Sequence, residues 1–192
     1  MKKFNEKDAL AVINQMVGTA RRKIADNSFY FLLWGWTTFG GAMMQYVLMK
    51  MEYGQHYLPW PILSGAATVT HIVYAVTVSR NETTKSYLDY FLTVIWICTW
   101  GAISLAFVLC VFAASFAVAY MMLLVVYGLG TLITGILIKF KPLIFGAAIT
   151  WLCSINMLFV SFPEKLIFVA VSIAFGYIVP GHILRRRSRN GI

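Results

Sequence analysis

Six apolar runs divide the chain, at about 28–49, 59–79, 89–113, 116–138, 142–161 and 164–184. Each approaches the roughly 20 residues that a helix needs to cross a hydrocarbon core about 30 Å thick. The pattern predicts an all-α polytopic membrane protein of six transmembrane helices. The third and fourth runs need a separate argument, because no charge interrupts the stretch from Tyr90 to Ile138. As one helix at about 1.5 Å per residue it would exceed about 70 Å, far more than a bilayer holds. The chain must double back, and Ala113, Ala114 and Ser115 are the expected turn.

Residues 1–27 are charged and do not resemble a cleavable signal. Leu10, Ile13, Val17, Ala20 and Ile24 recur at alternating steps of three and four, one apolar stripe on a helix. Asn5 and Asp8 suit its start. This predicts an amphipathic helix in the membrane interface or packed beneath the bundle. A soluble helix docked on the chain's own loops fits the same stripe. The expected organisation is thus a cytoplasmic segment at 1–27, a transmembrane domain at 28–184 and a basic cytoplasmic tail at 185–192.

Composition agrees with lipid immersion. The chain is 60% hydrophobic and 12% charged, where soluble proteins are about 45–50% apolar and 25% charged. A net charge of +9 comes from short basic clusters between the apolar runs. Nucleic-acid binding would need a continuous polar face to carry that charge, so nucleic acid is not an expected partner. Of the 16 Lys and Arg, all but Lys50 and Lys165 fall on one side if the helices alternate. That bias predicts cytoplasmic N- and C-termini, with the basic side against the anionic headgroups of the inner face.

The odd helices share a local pattern: Trp34-Gly35-Trp36-Thr37, Trp96-Ile97-Cys98-Thr99 and Trp151-Leu152-Cys153-Ser154. Two even helices end alike, in Gly135-Ile136-Leu137-Ile138-Lys139 and Gly181-His182-Ile183-Leu184-Arg185, while the second departs from this. These echoes suggest three parallel hairpin repeats about an axis along the membrane normal. Chance matches in an aromatic-rich sequence are the rival explanation.

Four segments carry a resemblance. They are Ser28 through Gly41 with Phe31-Leu32-Leu33-Trp34-Gly35-Trp36, Tyr127-Gly128-Leu129-Gly130-Thr131, Ile138 through Ile144, and Gly176-Tyr177-Ile178-Val179-Pro180-Gly181. Together they resemble a group of uncharacterised six-helix bacterial inner-membrane proteins, over most of the chain. In topology alone the chain is also similar to acid-resistance membrane proteins built from helical hairpins. The first likeness implies the cell inner (cytoplasmic) membrane; neither implies an activity or a site residue.

Candidate chemistry is sparse. None of the seven acidic residues, and no Lys or Arg, lies near the centre of a run, where ionisable groups mark ion or proton routes. Asp89 at the mouth of the third run reads as a helix N-terminal acid. Cys98, Cys110 and Cys153 lie in apolar runs without metal-ligand spacing, so no metal and no cofactor is expected. Ser64, Thr68, His71 and Ala75 form one polar or small helix face, a pore lining or an interhelical contact. Asn156 must find a partner on a neighbouring helix or a substrate. Gly146, Thr150 and Ser154, like Gly130 with Thr134 and Thr131 with Gly135, are small-residue packing pairs. Pro180 frees the carbonyl of Gly176, which predicts a kink. Together these features favour a non-enzymatic membrane protein that packs on itself or on a partner. The alternative is a small transporter or channel for a neutral or lipophilic solute, with Ser64, Thr68, His71 and Asn156 along the path.

Overall fold

The computed structural model describes residues 12, 14–16, 18, 28–79, 87–112 and 116–189. Among these, every regular element is helical: α1 Ser28–Lys50, α2 Pro59–Ser79, α3 Tyr87–Phe112, α4 Phe116–Leu137 and α5 Lys141–Asn156, then a short 3-10 turn Met157–Phe159. The last rod joins α6 Phe162–Ile173, a π-helical turn Ala174–Ile178 and α7 Val179–Arg189. Helices stop at Phe112 and restart at Phe116, flanking the turn expected at 113–115, whose residues lie outside the described ones. All five residues of the amphipathic stripe, Leu10, Ile13, Val17, Ala20 and Ile24, also lie outside them; of the neighbouring residues, Asn14 accepts a hydrogen bond from Lys139 Nζ at 3.2 Å.

Four helical stretches are long and apolar enough to cross a membrane: Tyr90–Cys110, Phe116–Leu137, Lys141–Phe159 and Phe162–Arg186. Helices α1 and α2 are comparably long, but α1 is diluted by tryptophan, glycine, threonine and Gln45, and α2 by hydroxyls and His71.

The centre of the bundle is α1, α4, α5 and the α6–α7 rod. Small residues set how closely these helices approach. A Cβ added at Gly135 of α4 would come within 3.0 Å of Leu143 and Ile144 on α5, and one at Gly181 of α7 within 3.0 Å of Leu32 on α1. The predicted stripe on α5 does pack: Gly146 and Thr150 lie against the π-turn, and Ser154 Oγ donates to the carbonyl of Met121 at 3.1 Å. Ala42, Leu124, Met157, Val169 and Ile173 fill the middle, and Leu92, Ile138, Phe140, Leu143 and Leu184 close the Ser28 end.

By contrast α2 packs chiefly on α1 and α3 on α4, and among the described residues α2 and α3 share little or no contact. Only 12% of the apolar stretch of α3 is buried against protein, compared with 56% of Phe162–Arg186. Val76 of α2 holds the position that glycine holds in α4 and α7, and it is 54% exposed.

The ends of α1 and α4 share one geometry. Tyr53 N–H bonds the carbonyl of Leu48 and Glu52 N–H that of Met49; Phe140 N–H bonds Gly135 and Lys139 N–H bonds Ile136. These are Schellman closures, with Glu52 (φ 54°) and Lys139 (φ 51°) in the left-handed position. Lys165, one of the two cations that the charge count sets apart from the basic side, is buried and donates to the carbonyl of Met157 at the 3-10 turn.

Pro180 produces a π-turn where a kink was expected. Val179 N–H bonds the carbonyl of Ala174, five residues back, so the helix widens one turn ahead of the proline ring. The helix then runs on to Arg189, beyond the expected end at 184, because arginine is a good helix former.

Candidate functional site

Of the candidates on α2, only His71 reaches another helix. Ser64 Oγ donates to the carbonyl of Trp60 (2.5 Å) and Thr68 Oγ1 to that of Ser64 (2.7 Å), so both hydroxyls bond their own backbone. His71 Nδ1 accepts the indole N–H of Trp34 at 3.1 Å. An indole nitrogen only donates, so Nδ1 is unprotonated and the imidazole proton sits on Nε2. Rings surround the pair. Tyr30 lies 4.5 Å from the imidazole and Trp34 lies 5.2 Å from Trp100 of α3, while Phe29 stacks on Tyr74 at 4.2 Å. Asn156 belongs elsewhere: at the end of α5, exposed, it donates to the carbonyl of Leu152 at 2.8 Å. The four candidate residues are thus not one site.

A second polar cluster was not anticipated from sequence. Gln45 is 3% exposed; its Oε1 accepts from Trp60 Nε1 at 2.5 Å and from the Tyr120 hydroxyl at 2.7 Å. Its Nε2 faces His56 Nδ1 at 3.3 Å. Because Trp60 can only donate, the amide orientation is fixed, and Nε2 must meet the lone pair of a neutral His56. The available signal was a single amide in an apolar run, a group that needs partners wherever it is buried.

The third cluster lies at the π-turn. Tyr177 stacks on Tyr127 at 4.4 Å, and Trp96 meets both edge-on at 6.0–6.1 Å. The Tyr177 hydroxyl is buried without a hydrogen-bond partner among the described residues. At the Lys50 end, Lys50 Nζ pairs with Glu164 at 2.9 Å, tying α1 to α6. That carboxylate beside Lys50 raises the lysine's pKa above its ordinary value.

A shallow apolar cleft of about 250 Å³ between α4 and α5 is lined by Val125, Trp151, Ser154 and Ile155. The Trp151 N–H is bonded to the carbonyl of Val125 at 3.1 Å. Cys98, Cys110 and Cys153 are free thiols, and the described residues hold no metal-ligand cluster.

No protein-family model matches the chain, and no curated protein or solved structure is significantly similar to it.

Proposed function

We propose that this chain is a non-enzymatic protein of the cell inner (cytoplasmic) membrane, which binds a second copy or another membrane protein through its helices. It crosses six times as three hairpins, with both termini in the cytoplasm and the basic edge on anionic headgroups. The likeness to six-helix bacterial inner-membrane proteins supports the location, and the Lys and Arg bias supports the orientation.

One observation carries the binding role. In a ring of three hairpins each even helix would pack on the next odd one. Helix α4 does so on α5 and α7 on α1, whereas among the described residues α2 and α3 share little or no contact. Their apolar side chains, including Ile72 (56% exposed), Val76 (54%) and Ile97 (66%), are left largely uncovered by the described residues. Mass measurement in mild detergent tests this. Val76→Trp and deletion of residues 1–25 should each weaken self- or partner association while leaving the melting temperature near wild type. Unchanged association in both variants would refute the reading.

The second reading, a transporter or channel for a neutral or lipophilic solute, is favoured by the one imidazole nitrogen of His71 that Trp34 leaves free. Single cysteines at positions 64, 68 and 71 should then react with a water-soluble thiol reagent if the path is aqueous.

A further inference from the structure

We infer that His71 is the hydrogen-bond donor of a binding site for a neutral, planar lipophile bearing a carbonyl oxygen. The site's floor is the row His71 of α2, Trp34 of α1 and Trp100 of α3, which links the three helices through adjoining rings. This rests on the bilayer immersion proposed above, and on neither partner binding nor transport.

The argument starts from the fixed tautomer. Trp34 holds Nδ1, so Nε2 carries a proton that no described residue accepts. The hydroxyls of Ser64, Thr68, Thr70 and Thr77 on the same helix each donate to a carbonyl of α2 itself, and none is bonded to the imidazole. From Pro59, twelve steps at about 1.5 Å place His71 roughly 18 Å along α2, inside the hydrocarbon. Water is scarce there, and an unmet N–H is costly. The acceptor must come from the apolar phase itself.

Three features narrow its class. A fixed N–H donor selects an oxygen acceptor and repels a cation. No Lys or Arg is among the residues placed around the imidazole, so a carboxylate would lose its hydration without a counter-charge. The tilted faces of Tyr30 (4.5 Å from the imidazole) and the Trp34–Trp100 pair favour a flat, unsaturated ring over a saturated chain. A carbonyl on an aromatic or quinoid ring meets all three conditions.

The test uses the full chain in phospholipid nanodiscs, labelled with nitrogen-15 histidine in a His56→Gln, His182→Gln background so that His71 alone reports. The probes are anthraquinone and its carbonyl-free counterpart, anthracene. Anthraquinone should move the Nε2 proton resonance downfield and saturably, anthracene should not, and His71→Phe should lower anthraquinone affinity at least tenfold. Equal responses to both probes, uptake that never saturates, or full affinity in His71→Phe would overturn the site. Should His71→Phe fail to fold, the two-probe comparison in the folded protein decides. Rapid exchange of the Nε2 proton with water before any probe is added would instead overturn the immersion.

Discussion

Gly146 of α5 faces the carbonyl of Phe175 so closely that a Cβ on the glycine would lie 2.6 Å from that oxygen and 2.8 Å from Gly176 Cα. Both obstacles are backbone, so the helices must separate to admit a side chain. Gly146→Val should therefore destabilise the bundle by about 1–3 kcal/mol, the usual cost of overpacking a tight interface. Gly65→Val, where nothing lies within 4 Å, is the control. Thermal unfolding in detergent compares them, and equal melting temperatures would refute the close contact.

Gln45 is the acceptor for two half-buried donors, Trp60 and Tyr120. Gln45→Leu preserves bulk but leaves the indole N–H and the phenol O–H without it. Each unmet donor costs about 1–3 kcal/mol. Tyr120→Phe removes one donor together with its need, and should cost only about 1 kcal/mol. Denaturation curves of the two variants should rank in that order.

Lys139 adopts φ 51° at the end of α4, a conformation glycine takes without the steric penalty of a Cβ. Lys139→Gly should gain up to about 1 kcal/mol, less whatever the exposed bond to Asn14 contributes. Lys139→Val should lose stability. If both variants melt alike, the left-handed closure is wrong.

Lys50 and Glu164 join α1 to α6 across a pair whose lysine side chain is 51% exposed. The lysine pKa is raised above its ordinary 10.5, so whatever the pair contributes is fully present below that pH and disappears as pH rises through the folded-state value. The difference in melting temperature between wild type and Lys50→Met should be small at neutral pH, as is usual for exposed pairs, and should shrink further under strongly alkaline conditions. A difference that grew with pH would contradict the pairing.

Sequence made some of this legible. The positions of the helices followed from run length, and the folding of α3 back on α4 followed from the impossibility of one rod. Gly146, Thr150 and Ser154 were readable as a packing stripe because small residues at helical spacing have few other uses. The helix ends at Glu52 and Lys139 were not, since a charged residue sits where glycine signals a left-handed closure. Pro180 announced a disturbed helix; that the disturbance includes a π-turn packed on Gly146 and Thr150 was not readable from the chain. The Gln45 cluster joins residues 75 positions apart, and no local spacing reveals such a contact. Ser64, Thr68 and His71 share a helix face, yet only the histidine is long enough to reach Trp34.

The six-crossing arrangement is tested most directly by the two long helices outside the four apolar enough to cross a membrane, α1 and α2. In a chain with Cys98, Cys110 and Cys153 replaced by alanine, Gly54→Cys and Asn81→Cys would be labelled with a membrane-impermeant maleimide in intact cells and in inside-out vesicles. The account predicts that position 54 reacts only in cells and position 81 only in vesicles. Reaction of both from the same side would mean that α2 does not cross the membrane, and would contradict it.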